Sequence, residues 1–467
     1  MTTIHRGEFT ASGDVKGLLS LFAPLFLIAF SNYLFLLIEK LLLVRLSVVA
    51  MEASVTTAYA CYIFQGSLVA LAMMAQVCVG RWYGEQKWEL IGPGIWQFVW
   101  FSLLSMAFVL PAGFLYGNYY FQGTAIEEIA FPYYRLLLIS NFLYPLSAVL
   151  SCFYLGQGKT KIVVILTITM QTLKLLLGYL LILGLDPWIP SVGIMGGAIS
   201  TVVAHTFFCA ALFFLFLHKN NHQLFHSWEW RFKPKFCWEC IYPGLLRLCN
   251  RLLNFTSWAA IARMMAERGG NYQLFLSLGG ALFLFLPLFG EALSQAQVTI
   301  IANLLGNQKY QLLYRATRSA LLLILVTVFL LAFPFLLYPE QTFRILFPNI
   351  VISFSEMKHL LFGIWLSFCF SFVVFVPISD ILSFKDMKFS FFMGCFNWIN
   401  GYLLIRFALN TFNMPADYFW ICLSIMHGST AAIYFWRSYV LRARLAPPLD
   451  PKTKSSNFQK WYRVRSE

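Results

Sequence analysis

The residues best placed to do chemistry are polar side chains inside long apolar stretches. Glu39 and Asn32 are seven residues apart, two helical turns, so they share one helix face. Together they offer carboxylate and amide oxygens to a proton or a small cation. The alternative is an interfacial ion pair between Glu39 and its neighbour Lys40. A charge in a bilayer costs about 2.5–3.5 kcal/mol or more, so each one needs a partner, water or a function.

The densest polar stripe contains two arginines and two asparagines. These residues follow i, i+3, i+4, i+7 spacing and share one helix face: Arg247, Asn250, Arg251 and Asn254. Arg251 lies about ten residues, or roughly 15 Å, into its apolar stretch, close to the middle of a bilayer. Arg247 is near enough to one end to snorkel to the surface. The stripe predicts the lining of a polar cavity, and a structural network between helices is the alternative.

Lys174 is a further basic residue near the middle of an apolar stretch, and Gln171 shares its helix face. A lysine at this depth must be neutral, paired or hydrated. Glu291, with Gln295 one turn later, is the acidic counterpart in the second half of the chain. We predict that these residues line the same cleft, although pairing with a basic residue explains Glu291 equally well.

Other polar residues in apolar stretches have simpler explanations. Asp380 and Arg135 lie nearer the ends of their stretches, where snorkelling to the interface is favoured. Asn397 and Asn400 share one face, and hydrogen bonding between helices is their default explanation. No phosphate-binding glycine loop, nucleophile triad or nucleotide-binding domain is visible, so we expect neither an enzyme nor an ATP-driven pump.

Histidines and cysteines give only weak signals. His205 and His427 have the residue type that titrates near neutral pH, but structural roles are favoured for both. One polar segment has spacings that suit zinc, with these candidate ligands: His222, His226, Cys237 and Cys240. Its aromatic and basic neighbours fit a linker on a membrane surface better, so no metal is predicted. The ten cysteines lie mostly in apolar runs and imply no disulfides.

The elements that must position these residues are transmembrane helices. Of 467 residues, 59% are hydrophobic and only 12% charged. Soluble domains carry about 25% charged residues, so this composition excludes one. Apolar stretches of roughly 20 residues recur along the chain and predict an all-α polytopic membrane protein. Twelve spans are predicted near residues 18–46, 53–80, 94–117, 129–155, 161–184, 192–217, 241–265, 272–304, 313–338, 357–384, 388–410 and 418–441.

The charge distribution predicts the orientation. The net charge is +14, from 34 basic and 20 acidic residues. Most basic residues fall in loops on one side, which places both termini in the cytoplasm of a multi-pass cell-membrane protein. The excess fits contact with anionic lipid, so no nucleic-acid partner is expected. No small-residue cleavage site follows the first apolar run, so we expect the first span to be retained.

The chain also repeats itself. AQVCVGRWYGEQK from Ala75 matches AQVTIIANLLGNQK from Ala296, and LGQGKTK from Leu155 resembles LSFKDMK from Leu382. GYLLI occurs twice, and Pro24 of the first span matches Pro243 of the seventh. These pairs predict two six-span halves related by an axis along the membrane normal. Because a proline permits a bend within a membrane helix, Pro24 is a candidate hinge.

The order of these segments resembles the multidrug and toxic-compound extrusion (MATE) family. The resemblance runs from about Leu18 to Arg437 and rests on APLFLIAFSNYLFLLIEKLLLVRLS, AQVCVGRWYGEQK, LGQGKTK with VGIMGGAIST, and FGEALSQAQVTIIANLLGNQK. It implies two six-helix lobes around a central cleft. It also implies a secondary exporter, or antiporter, of organic solutes or drugs that is driven by inward H⁺ or Na⁺. Members typically carry an acidic residue at the place of Glu39, which implies that Glu39 takes up the coupling ion.

The predicted organisation follows. We expect a cytoplasmic N-terminal tail at 1–17, a first lobe at 18–217, a cytoplasmic linker at 218–240, a second lobe at 241–441 and a basic cytoplasmic tail at 442–467. The coupling ion is the only cofactor expected. We predict a monomer whose partners are membrane lipid and a small organic solute. The alternative function is a flippase for an anionic lipid-linked precursor, since Arg251 and Lys174 suit such a substrate.

The charge of the solute depends on how the cleft residues pair. If Lys174 and Arg251 pair with Glu39 and Glu291, the cleft is nearly neutral and binding rests on aromatic and methionine contacts. If they are unpaired and hydrated, the cleft is positive and suits a carboxylate or phosphate. The absence of an acid on the Arg251 face favours an anionic or zwitterionic substrate.

Overall fold

The computed structural model describes residues 12–445 apart from 125, 186, 187, 189, 348, 349 and 351. Eighteen α-helices occur in this part of the chain. Their bounds are α1 Val15–Leu46, α2 Val48–Ala72, α3 Met74–Gly84, α4 Ile91–Leu104, α5 Met106–Phe121, α6 Glu127–Ile139, α7 Leu143–Gly156, α8 Thr160–Leu183, α9 Ile194–Phe216, α10 Lys219–Phe225, α11 Pro234–Arg268, α12 Asn271–Phe285, α13 Pro287–Gly306, α14 Gln311–Ala332, α15 Pro339–Leu346, α16 Phe354–Ser383, α17 Met387–Thr411 and α18 Phe419–Ala443. The predicted tails fall largely outside the described residues.

Each predicted span corresponds to one helix or to two consecutive helices. Within the described ranges, nine helical stretches are long and apolar enough to cross a membrane. A tenth is the pair Asn271–Leu282 and Pro287–Gly306, which is bent by 43°. The two predicted spans that fail this test are α11 and α17, because arginines and asparagines interrupt their apolar residues. Polar residues inside a membrane helix face the protein interior or a cavity. The low hydropathy of α11 and α17 therefore indicates that these two helices contribute to the functional site.

The helix that carries Glu39 is long and continuous. Its start is capped by Asp14, whose carboxylate accepts a hydrogen bond from the Gly17 backbone N–H at 2.9 Å. Pro24 lies inside the helix, which continues to Leu46. The hinge at Pro24 stays a prediction. The lobe limits also stay predictions, although α9 ends at Phe216 and α11 begins at Pro234.

The internal repeat is visible in the backbone as well as in the sequence. Gln86 and Gln308, which end the two copies of the first motif, have φ angles of 58° and 56°. Gly158 and Lys385, in the two copies of the second motif, have φ angles of 76° and 58°. Positive φ is uncommon for residues other than glycine. Matching left-handed turns at matching places therefore indicate that both halves fold in the same way.

The lobes meet where α3 crosses α13, and these helices carry the two copies of the first motif. A Cβ atom on Gly84 would lie 2.3 Å from the carbonyl oxygen of Asn303. A Cβ atom on Gly306 would lie 2.3 Å from the carbonyl oxygen of Arg81. Glycine at both positions is what lets the two backbones approach so closely. We call this crossing the closed end.

Polar contacts flank the closed end on both sides. Toward the centre of the molecule, the Gln76 side chain donates hydrogen bonds to the Gln295 backbone oxygen and to Thr299 Oγ1, at 3.0 and 2.7 Å. On the other side, Glu85 and Lys87 form an ion pair of 2.9 Å. Burial raises the pKa of Glu85, but hydrogen bonds from Lys87 and Arg81 outweigh it, so the pKa lies below its usual value. The turn after α3 is therefore held in place by charged hydrogen bonds.

The segment between α9 and α11 is attached to the first lobe. Side chains of α4 bind it at the following pairs: Trp96 with Ser227, Trp100 with Trp230, and Gln97 with Arg231 and Lys233. Of the residues whose spacing would suit zinc, His222 stacks on Trp228 at 4.5 Å and His226 bonds to Glu229 at 2.9 Å. The hydrogen bond from His226 lowers the pKa of Glu229. Two tryptophans and a glutamine of α4 therefore anchor the backbone of this linker.

Candidate functional site

A cavity of about 1120 Å³ lies between the two lobes. All nine residues predicted for the coupling ion or the cleft line it: Asn32, Glu39, Gln171, Lys174, Asn250, Arg251, Asn254, Glu291 and Gln295. Helices α1, α2, α6, α7, α8 and α9 form one wall, and α11, α13, α16, α17 and α18 form the other. Pro24 is not among the lining residues. The structure thus brings the polar residues of both halves to one site, while their functional roles remain predictions.

Glu39 and Lys174 form an ion pair in the wall of the first lobe. Lys174 Nζ lies 2.6 Å from Glu39 Oε2, and only 18% and 10% of the two side chains are exposed. Gln171, one turn before Lys174, donates a hydrogen bond of 2.6 Å to Oδ1 of Asn32, which lies two turns before Glu39. The neighbouring Lys40 bonds instead to Ser54 Oγ at 2.5 Å. The polar residues of α1 and α8 therefore pair with one another across the helix contact.

The arginines of α11 face the first lobe across the cavity. Arg251 donates a hydrogen bond of 3.1 Å to the Tyr62 hydroxyl, and its guanidinium lies 5.1 Å from the Phe255 ring centroid. Arg247 lies 3.9 Å from the sulfur of Met74, a weak acceptor. Among the described residues, neither arginine has a carboxylate within 4 Å and Glu291 has no basic group within 4 Å. Glu291 interacts with both arginines electrostatically, over a longer distance. The guanidinium groups are thus available to an anion that enters the cavity.

The asparagines of the same stripe serve the structure of the second lobe. Asn250 Nδ2 donates to the Ser390 backbone oxygen and hydroxyl at 2.9 and 2.8 Å. Asn254 Nδ2 donates to Asn250 Oδ1 at 2.7 Å. The stripe therefore combines both explanations offered above, because its amides join α11 to α17 while its arginines remain at the cavity surface.

Two further amides join α17 to α18. Asn397 accepts a hydrogen bond of 2.7 Å from Thr430, and Asn400 donates one of 3.0 Å to Ser429. The prediction of helix-to-helix hydrogen bonds at these two residues is confirmed. Asn397 also lines the cavity, so this contact forms part of its wall.

The formal charge of the cavity wall is positive. Its charged residues are Glu39, Lys40, Lys174, Arg247, Arg251 and Glu291. Four of these are basic and two acidic, so the sum is +2 with histidines neutral. The pairing is mixed, since Lys174 is bound to Glu39 whereas Arg251 is bound only to neutral groups. Each lobe contributes +1 to this sum, from Lys40 and Lys174 against Glu39 in the first lobe and from the two arginines of α11 against Glu291 in the second.

Two histidines that sequence reasoning treated as structural both line the cavity, one in each lobe. His205 Nδ1 donates a hydrogen bond to the Thr201 backbone oxygen, 3.1 Å away, and the imidazole packs 4.5 Å from the Tyr144 ring. His427 lies on α18, the last helix of the second half. The signal that could have found them is the repeat itself, because they occupy corresponding helices.

The structure places Asp380 differently from the sequence prediction. Asp380 is fully buried rather than snorkelling to an interface, with Arg442 at 2.7 Å and a hydrogen bond from Ser438. Sequence analysis assigned Arg442 to a tail and so missed its partner. Arg135 is exposed, and its guanidinium lies 4.1 Å from the Phe131 ring centroid. The buried pair joins α16 to α18 within the second lobe.

A polar cavity between two related helical lobes is the architecture of a secondary transporter. No protein-family model matches the sequence. A multidrug resistance MATE family transporter of the MOP superfamily, solved in an outward-facing conformation, superposes with a TM-score of 0.80 at 14% identity, over 92% of this chain and 96% of the other. The Vibrio cholerae MATE transporter VcmN, solved as a point mutant, gives a TM-score of 0.80 at 15% identity, over 92% and 97%.

A third similar structure is a MOP superfamily transporter from Pyrococcus furiosus, for which the reverse polarity of the binding pocket suggests a different function. It superposes with a TM-score of 0.79 at 14% identity, over 94% of this chain and 98% of the other. The chain therefore has the MATE fold, with twelve transmembrane helices in two lobes around a central cleft. The predicted fold class is confirmed, and the resemblance to MATE transporters is confirmed for the fold.

Proposed function

We propose that this protein is a secondary active exporter of organic solutes, driven by an inward gradient of H⁺ or Na⁺. The observation that carries the proposal is the large polar cavity between two lobes that touch at the closed end. Under the predicted topology the closed end faces the cytoplasm, so this conformation is outward-facing. An ion gradient then supplies the bias between this state and one in which the cavity reaches the cytoplasm.

Glu39 is the residue proposed to exchange the coupling ion. The residue is 8% exposed, yet it lies in the cavity wall, where an ion that enters the cavity meets it. Protonation would weaken its attraction to Lys174, because a neutral carboxyl no longer forms an ion pair. Uptake of a proton at Glu39 would therefore change the contact between α1 and α8.

The solute proposed is anionic or zwitterionic. Arg251 and Arg247 supply guanidinium forks that bind carboxylate or phosphate through paired hydrogen bonds. The positive wall attracts an anion, and the lining residues Tyr62 and Trp258 offer aromatic surface to an apolar body. Drug-like cations would meet a wall with no acidic excess.

The test is uptake into proteoliposomes under imposed pH or Na⁺ gradients, with organic anions and cationic dyes assayed in parallel. We expect gradient-driven transport by the wild type and its loss in Glu39→Gln, since a neutral amide keeps the shape but cannot exchange an ion. Glu52→Gln is the matched control, because Glu52 is exposed on α2 and is not a lining residue. Full coupled transport by Glu39→Gln would remove Glu39 from the mechanism, and no gradient-driven movement of any solute would contradict the exporter itself.

A further inference from the structure

The Glu39–Lys174 ion pair occupies the place where an inorganic cation would bind to the first lobe. The lysine belongs to α8 and reaches the carboxylate of α1 across the helix contact, with Nζ and Oε2 2.6 Å apart. An ammonium at this distance is a cation that the protein itself supplies. We propose that Lys174 excludes Na⁺ from Glu39, so that the exporter proposed above, on which this inference rests, works without Na⁺.

On the side of the pair away from the large cavity, the space is too small for a second cation with its water. A side pocket of about 10 Å³ adjoins the pair, lined by residues that include Gln171 and Ser200. Such a volume holds at most about one water molecule. The other carboxylate oxygen, Oε1, faces α9, where a Cβ on Gly197 would lie 3.8 Å from it. Between α1, α8 and α9, Na⁺ therefore has room at the carboxylate only if the Lys174 ammonium leaves.

The local charge also opposes a second cation. Glu39 carries one negative charge, whereas Lys174 and Lys40 each carry a positive one, and Lys40 interacts electrostatically with both. The remaining titratable groups that face Glu39 from the neighbouring helices are Tyr133, Tyr144 and His205. None of these adds negative charge at neutral pH. An arriving Na⁺ would meet a cluster whose net charge is already positive.

Removal of the ammonium would leave the ligands of a cation site in place. Hard cations bind oxygen, and the wall of the side pocket offers the Glu39 carboxylate together with the amide oxygen of Gln171. The Ser200 hydroxyl is a further oxygen on the pocket wall. A side chain of similar length without charge, as in Lys174→Met, would expose these oxygens to one uncompensated negative charge. The variant should then bind Na⁺.

The experiment compares Na⁺ with choline at equal ionic strength on purified protein. The readouts are the thermal unfolding midpoint and titration calorimetry with NaCl. We expect no effect of Na⁺ on the wild type or on Lys174→Arg, and a midpoint that rises with Na⁺ in Lys174→Met, because a ligand that binds the folded state stabilises it. Lys161→Met is the matched control, since Lys161 is exposed on the first turn of the same helix.

A double variant, Glu39→Gln with Lys174→Met, assigns the site, because its response to Na⁺ should disappear. Na⁺-dependent stabilisation of the wild type that is lost in Glu39→Gln would overturn the proposal. Folded Lys174→Met without any Na⁺ response would overturn it as well. Should Lys174→Met fail to fold, the wild-type measurement still decides. These experiments measure Na⁺ binding and not transport. A protein that shows the expected binding but transports nothing would therefore contradict the proposed exporter and leave the exclusion of Na⁺ standing.

Discussion

Arg251 is the residue through which the charge of the solute can be tested. Its guanidinium bonds to a neutral hydroxyl, so an incoming carboxylate or phosphate offers it a stronger partner. A hydrogen bond to a charged group contributes about 1.5–3 kcal/mol, and 1.4 kcal/mol corresponds to tenfold in affinity. We expect Arg251→Ala to bind organic anions about 10- to 100-fold more weakly, as measured by calorimetry on purified protein.

Two comparisons control the Arg251 experiment. Arg268→Ala removes a guanidinium from the same helix that bonds to Leu409 and Asn410 and does not line the cavity. Its anion binding should equal that of the wild type. Tyr62→Phe keeps Arg251 but removes its present partner, so anion binding should be retained. Wild-type protein that binds organic cations and no anions would exclude an anionic solute.

The buried pair of Asp380 and Arg442 provides a prediction about stability. Breaking a buried ion pair by removing one partner costs about 3–5 kcal/mol, because the other charge stays buried. Asp380→Asn should therefore lower the thermal unfolding midpoint strongly. Glu267→Gln is the control, because its pair with Arg263 is 62% and 82% exposed and such pairs contribute about 0–1 kcal/mol. Equal midpoints for the two variants would show that the Asp380 pair is not needed.

At the residue scale, depth and helix face could be predicted from the sequence, whereas partners could not. The spacing of Lys174 and Glu39 within their own helices placed both in the cleft, and the cavity contains both. Their mutual distance depends on how α1 packs on α8, which no local pattern encodes. The same reason explains why Lys40 was offered as the partner of Glu39 and why Asp380 was placed at an interface.

The crossing of α3 and α13 tests how the lobes separate. In Gly84→Ala the new Cβ would meet the Asn303 carbonyl oxygen at 2.3 Å, so the two backbones must move apart. Overpacking of this kind costs about 1–3 kcal/mol. We expect a lower unfolding midpoint and faster labelling of the buried Cys78 thiol on the same helix, followed by mass spectrometry.

Gly280→Ala is the matched control for this prediction. A Cβ on Gly280 has nothing within 4 Å, and alanine in a helix interior is better than glycine by about 0.5–1 kcal/mol. Its midpoint should stay equal or rise, with Cys78 labelling unchanged. Identical behaviour of the two variants would mean that the closed end tolerates a methyl group and that its glycines do not govern the approach.

At the element scale, the repeat was the most informative part of the sequence. It predicted two equivalent halves, and matching left-handed turns at Gln86 and Gln308 agree with it. The sequence alone could not predict that the two copies of this motif pack against each other. That contact is a property of the pseudo-twofold arrangement of the lobes rather than of either copy.

The orientation of the whole molecule remains a prediction that labelling can test. Basic residues concentrate in the loops at the closed end and in the linker, which predicts that both face the cytoplasm. Cys237 is half-buried at the start of α11, next to the linker. We expect an impermeant thiol reagent to label it in inside-out vesicles and not in intact cells. Labelling of Cys237 from outside intact cells would reverse the topology.

The attachment of the linker to α4 has a consequence for how the chain is joined. Because the segment up to Lys233 is bound to the first lobe, the covalent connection between the lobes reduces to the peptide bond before Pro234. The molecule is equivalent to a dimer of two related lobes that are joined covalently at the edge of the first lobe. A gene divided at that bond would yield two polypeptides of six spans each, and the first would keep the α4–linker hydrogen bonds that now hold the junction.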